Sequence, residues 1–300
     1  MKPIVVCVFF VALMFSSVHS LFRTTLRDST QAVPYTVLHR GDPVWSPAII
    51  PSNSEYTLFS PFVEQTQSDV YATLGPEAPA ILRVLVGQSH VVTLQAGDLS
   101  NALQTQTFTA LVVSQDWVND DDLKAAQRAG VRVVIVQRHT SIAHMEGNIR
   151  TLATLTGMQT VGQRWIAAID QAVAQVKEAV HGTPRTRVLI LTPEGYTEGQ
   201  GALITELIEI AGGLNVAAEA NIAEARQIDD SQIRDFAPDV VLLINWTAES
   251  AAAVAHNPLY VGLPAFDYEH IYRFAISTQD PAQLREELPT LATLFHPPTF

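Results

Sequence analysis

The segment from Val188 to Val216 constrains the fold more than any other part of this chain. A wholly apolar run, Val188 to Leu191, leads into a loop that holds Gly195, Gly199 and Gly201. Leu203, Leu207, Ile208 and Ile210 then recur at helical spacing until Gly212-Gly213 stops the pattern. A strand without polar alternation is buried on both faces, as in a parallel sheet covered by helices. Strand, glycine loop and helix in that order form a corner of an α/β sheet, where ligands meet the carboxyl ends of the strands. A second unit is equally clear. Ala110 to Val113 reads as a buried strand, and Asn119 caps a helix whose first turn is Asp120-Asp121-Asp122, negative charge at the positive end of the dipole. Ala129-Gly130 ends that helix, and Val131 to Val136 is the next apolar strand. Strand, helix and apolar strand make a parallel βαβ unit.

The same signals place the remaining elements. Strands are predicted at Tyr56 to Phe59, Ile81 to Val86, Val91 to Leu94 and Val240 to Ile244, with shorter ones at Leu263 to Phe266 and Ile271 to Ala275. One helix is predicted to end at Leu74-Gly75, a short one covers Asp98 to Gln104, and Asp280-Pro281 opens the last, with Asp280 as its cap. Residues 21–54 carry Pro34, Pro43, Pro47 and Pro51 without periodicity and read as an irregular entry segment. Ser141 to Val180 has no proline, and Val161, Trp165, Ile169, Val173, Val176 and Val180 recur every three or four residues. This predicts one long amphipathic helix, about 30 Å from Val161 to Val180 at 1.5 Å per residue. Two organisations fit. Either two α/β lobes (21–140 and 182–300) are joined by a helix over 141–181, or one larger α/β domain uses that helix as a crossover; 300 residues favour two domains.

Composition narrows the function. A formal charge of -12 excludes a nucleic-acid binder, which needs clustered Lys and Arg. Met1 to Ser20 holds one basic residue, an apolar run from Ile4 to Phe15 and Val18-His19-Ser20, the pattern of a secretory signal peptide. Cys7, the single cysteine, lies inside it, so the mature chain is expected to have no disulfide and no cysteine metal site. The histidines form no close pair, so no metal site and no cofactor are expected, although haem ligation needs only one Tyr or His. There is no Gly-x-Ser-x-Gly elbow and no Walker loop, and the 195/199/201 glycines do not have dinucleotide spacing. The strand ends offer Tyr196 and Thr197 on the glycine loop, Trp246 after Val240 to Ile244, and Trp117 after Ala110 to Val113. Arg226 and the loop carrying Tyr268 and His270 complete the candidates. Tyrosine and tryptophan supply flat apolar area with one polar atom, and arginine pairs with carboxylates. The alternative for each is ordinary packing or a solvated surface position.

Residues 56–297 resemble the periplasmic substrate-binding proteins of ABC importers, in the cluster that takes up ferric siderophores, haem and cobalamin. The resemblance is carried by the run from Gly195 to Asn215, by Gln227-Ile-Asp-Asp-Ser-Gln-Ile233, by Ala237-Pro-Asp-Val-Val-Leu-Leu243 and by Ala129-Gly-Val-Arg-Val-Val-Ile-Val136. Phe295-His296-Pro297 is similar to the family's ending. Ser68 to Gly75 resembles its N-lobe helix, with Asp69 where the family has Glu. Pro61 to Gln67 is longer than the family's turn, and no aromatic residue follows the strand near Val91, so the family's N-lobe ligand aromatic has no counterpart. The resemblance implies an α/β fold of two Rossmann-like lobes joined by a single long helix, the class III periplasmic binding protein fold, with only a small hinge closure. It implies a periplasmic, monomeric protein that delivers a bulky iron chelate, haem or corrinoid to ABC permease subunits. It also implies that Asp69 and Glu206 contact the permease; a solvated helix face is the other reading of both. The competing function is an exported, transferase-like enzyme working in the cleft between the lobes.

Overall fold

The computed structural model describes residues 35–37, 69–117, 119–274 and 280–296. The signal peptide, the strand expected at Tyr56 to Phe59 and the stretch Pro61 to Gln67 lie outside the described residues. The first strand, β1 (Tyr35–Val37), pairs antiparallel with the last strand of the second lobe, so this part of the entry segment belongs to that lobe's sheet and not to the first lobe. In the first lobe, β2 (Tyr71–Leu74), α1 (Glu77–Val86), β3 (Val91–Leu94), α2 (Leu99–Thr105), β4 (Ala110–Ser114), α3 (Asp120–Arg128) and β5 (Arg132–Val136) follow in order. Their four strands are parallel in the order β3-β2-β4-β5. Two helices, α4 (Ile142–Thr156) and α5 (Gln159–Ala179), lead to the second lobe. It contains β6 (Thr186–Leu191), β7 (Tyr196–Glu198), α6 (Leu203–Ile210), β8 (Gly213–Asn215), α7 (Val216–Glu219), β9 (Ala225–Gln227), α8 (Asp230–Phe236), β10 (Val240–Ile244), α9 (Ala248–Ala255), α10 (Pro264–Asp267), β11 (Ile271–Phe274) and α11 (Leu284–Phe295). Its main sheet has the order β1-β11-β10-β6-β8, and β7 and β9 form a separate antiparallel ribbon.

Successive strand residues face opposite sides, and here both sides are apolar. Ala110 and Val112 of β4 join one core with Val188 and Ile190 of β6 and with Val240 and Leu242 of β10. Met145, Ile149 and Leu152 of α4 and Trp165 and Ile169 of α5 fill the same core, so the connecting helices form a spine shared by both sheets. The opposite faces have separate cores: Leu111 and Val113 with α2 and α3 in the first lobe, Leu189, Val241 and Leu243 with Tyr260 and Phe266 in the second. The strands therefore fall into two separate main sheets, joined through a core they share with the connecting helices.

Several elements differ from the sequence expectation for identifiable reasons. Ile81 to Val86 is helix: Ala78, Ile81, Leu82 and Leu85 form an i, i+3, i+4, i+7 buried stripe, which a short apolar run conceals. The residues expected to close a helix at Leu74-Gly75 are strand β2, paired on both sides. The connector is two helices rather than one. Gly157 takes a left-handed conformation at φ 75°, and the Met158 N–H donates back to the Ala153 carbonyl at 2.8 Å, closing α4 with a Schellman-type cap. Gly162 then lets α5 cross α4 closely; a Cβ there would stand 2.6 Å from Ala153 Cβ. The 21-residue α5 keeps the predicted stripe, with Trp165, Ile169 and Val176 buried. Leu263 to Phe266 is not a strand, because Pro264 starts the one-turn helix α10. Asp280 accepts from the Ala282 N–H at 3.0 Å in a turn, and α11 begins only at Leu284.

Candidate functional site

The carboxyl ends of the parallel strands in each lobe carry the candidate site. In the second lobe, β6 runs out into a turn at Thr192, where the Gly195 N–H donates to the Thr192 carbonyl at 3.0 Å. The chain then enters β7, whose pairing with β9 sets Tyr196 opposite Gln227 and Thr197 opposite Arg226. Neighbours along a strand point to opposite faces, so Tyr196 and Arg226 occupy different faces of this ribbon. Tyr196 is 41% exposed and Arg226 is exposed, whereas Thr197 is fully buried. A direct ligand contact by the Thr197 side chain, expected from its place on the loop, is therefore not available. Gly199 continues the strap so close to the neighbouring chain that a Cβ would lie 2.0 Å from the Ile222 carbonyl oxygen. A buried polar set holds it there. Asn215 Nδ2 donates to the Glu198 carbonyl and to Thr205 Oγ1, both at 2.7 Å, and Thr205 Oγ1 donates to the Gly199 carbonyl at 2.6 Å. Burial raises the Glu198 carboxyl above the usual carboxylate range. Trp246 follows β10, but its Nε1 donates to the Leu191 carbonyl at 2.8 Å and its ring packs on the second lobe's outer core, the packing role that was its alternative.

In the first lobe, Trp117 stands just past β4 and is 44% exposed. It walls a hollow of about 430 Å³ that is also lined by Gly75, Arg83, Thr93, Gln95 and Asp280. Gly75 is required where β2 ends: at φ 94°, a Cβ would come 2.3 Å from Ser114 Oγ. The lobes meet at Arg138, two residues past β5. Its Nε lies 3.5 Å from Asp116, the neighbour of Trp117, and its Nη2 lies 3.4 Å from Glu224, next to β9. This bridge ties the residue before Trp117 to the residue before β9, the strand paired with the one that carries Tyr196. Sequence reasoning missed Arg138, although it follows an apolar strand just as Trp117 does. It missed Arg83 because that residue was assigned to a strand.

The other expected residues fall elsewhere. Tyr268 is 72% exposed, but it precedes β11, and the Val241 N–H donates to the His270 carbonyl. Tyr268 and His270 are therefore at the amino ends of the strands, away from the cleft. Asp69 is not on a helix. It lies ahead of β2, where its carboxylate accepts from Thr109 Oγ1 at 3.1 Å, again at the amino edge of the sheet. Glu206 sits in the first turn of α6, the helix that follows the carboxyl end of β6. Glu206 accepts from the Ile142 N–H at 2.8 Å and so caps α4, and it also lines a second hollow of about 440 Å³ with Glu209 and Glu219. Among the described residues, no three His, Cys, Asp or Glu side chains converge on a metal position.

Two parallel α/β lobes on a helical spine, with a cleft at their strand ends, define a class III periplasmic binding protein fold. Residues 109–275 match the family described as periplasmic binding protein, and the chain belongs to that family. It is similar to the cobalamin-binding protein of Halobacterium salinarum, with 31% identity over 135 residues, 44% of this chain and 37% of that protein. The matched stretch thus spans little more than a third of that relative. Among solved structures, the chain resembles the periplasmic heme-binding protein RhuT from Roseiflexus sp. RS-1 in apo form, with TM-score 0.66 and 20% identity over 76% of this chain and 98% of that one. It also resembles the periplasmic heme-binding protein HutB of Vibrio cholerae, with TM-score 0.67 and 17% identity over 77% of this chain and 100% of that one. These two likenesses establish the fold.

Proposed function

We propose that this protein is a periplasmic, monomeric solute-binding protein that captures a bulky iron chelate, haem or corrinoid and passes it to an ABC importer. The observation that carries the reading is the Arg138 bridge, which links the residue beside Trp117 to the residue beside the Tyr196 ribbon; we read the space between these strand ends as the ligand cleft. Two exposed aromatics suit a large flat ligand. Family membership supports binding over catalysis, and the names of the Halobacterium relative and of the two haem-binding structures support a macrocycle. In this reading Met1 to Ser20 is an export leader, residues 21–140 and 182–300 supply the two lobes, and 141–181 is the connector. Tyr196 and Trp117 touch the ligand. Glu206, beside the acidic hollow, is the contact for a basic group on the permease. Titration of the purified protein with haem, cyanocobalamin and ferric siderophores, followed by tryptophan fluorescence, tests the proposal. Saturable quenching at micromolar or lower concentration by one of them is expected; no response to any of them refutes it.

A further inference from the structure

The hollow beside Trp117 contains a cation with no described carboxylate partner. Arg83 projects from the last turn of α1, and its Nη2 lies 3.3 Å from Thr93 Oγ1 at the end of β3. Its Nε is buried and has no hydrogen-bond partner. Among the described residues Arg83 makes no ion pair. A guanidinium has five donors in a planar fork, and a half-buried one is ordinarily matched to a carboxylate or phosphate. Asp280, on the far wall, is engaged by the Ala282 N–H at 3.0 Å. The half-exposed ring of Trp117 offers a flat apolar wall in the same hollow. At about 430 Å³ the space is of ligand-pocket size, and Gly75 and Trp117 on its wall stand just past the carboxyl ends of β2 and β4.

We propose that Arg83, supported by Thr93, reads a carboxylate on the solute while the flat body of the solute lies against Trp117. The ligand class is then a bulky planar compound bearing at least one ionised carboxylate at this end, in place of a neutral one. This rests on the solute-binding reading given above and sharpens it. In a chain of net charge -12, a cation in this hollow attracts what the surrounding surface repels.

The test uses matched acid and neutral probes on the purified protein, with affinities from equilibrium dialysis. The pairs are haem and its dimethyl ester, a monocarboxylic acid derivative of cyanocobalamin and cyanocobalamin itself, and a ferric carboxylate chelate and a ferric trihydroxamate. Whichever scaffold binds, the acid form is expected to bind at least about tenfold tighter than the neutral form. That gap should vanish in Arg83→Gln and persist in part in Arg83→Lys. Equal binding of both forms by the wild-type protein overturns the assignment and leaves the solute-binding reading intact, with no dependence on how a variant folds. A gap that survives in Arg83→Gln also overturns it. Failure of every scaffold to bind refutes both.

Discussion

Gly199 is the residue at which the cleft's second lip depends on a missing side chain. An alanine Cβ would sit 2.0 Å from a backbone oxygen, which has no flexible end to yield. The strap from Tyr196 to Gln200 would have to move away from Ile222. Gly199→Ala is therefore expected to cost about 3 kcal/mol in urea unfolding and to weaken ligand binding through displacement of Tyr196. Glu198, next to it, makes a pH prediction. Burial raises its carboxyl above the usual carboxylate range in the folded protein. Its relative contribution to stability is thus full below the unfolded value and is lost as pH rises through the folded one. Glu198→Gln should match the wild type near pH 4 and become the more stable of the two as pH rises toward 8. Thermal unfolding across that range checks it; a difference that does not change with pH would show that the carboxyl titrates normally.

At the scale of elements, the connector decides how the lobes are held. The first turn of α4 is capped twice: Ser141 Oγ accepts from the His144 N–H at 3.1 Å, and Glu206 of α6 accepts from the Ile142 N–H. The second bond joins the start of the spine to the other lobe. A hydrogen bond to a charged acceptor contributes about 1.5 to 3 kcal/mol, whereas a solvated helix-face glutamate changes stability by less than about 0.5. Glu206→Ala is expected to lower stability by about 2 kcal/mol in a denaturant titration, and a loss under about 0.5 would return Glu206 to the surface role read from the sequence. The same bond means that a basic group claiming Glu206 would compete with the cap of a spine helix.

For the whole molecule, the contact between lobes at the cleft mouth is ionic and exposed. Arg138 reaches Asp116 on its own lobe and Glu224 on the other, and all three side chains are roughly half or more accessible. Exposed pairs contribute about 0.2 to 1 kcal/mol, and 1 M salt shortens the screening length to about 3 Å. Arg138→Ala should speed ligand release about two- to fivefold in dilute buffer and by a negligible factor in 1 M NaCl, as read by stopped-flow fluorescence. An acceleration that is unchanged by salt would mean that the side chain acts through packing. The shared core of α4 and α5 limits any accompanying motion to a small hinge, since opening the lobes widely would expose Ile149, Leu152 and Trp165.

Local chemistry was legible where it is decided locally. Wholly apolar strands from Ala110, Val188 and Val240, the Asn119 cap with its donor Asp122 N–H at 2.8 Å and the stripe of α5 all follow from φ/ψ preference and burial along a few residues. The alternation of each strand between two cores follows from the same period. Much of the site depends on which distant atoms meet. Glu206 and Ile142 are 64 residues apart, and Arg138 and Glu224 are 86. The ribbon that separates Tyr196 from Arg226, the burial of Thr197 and the removal of Asp69 and Tyr268 to the far edges all depend on strand order and register. A short apolar run such as Ile81 to Val86 satisfies helix and strand equally until a neighbour covers it. Sequence alone determined the strongly patterned elements, because their periodicity is a property of adjacent residues; tertiary packing alone decided the short ambiguous runs and which side chains meet, because that is a property of surfaces brought together only after folding.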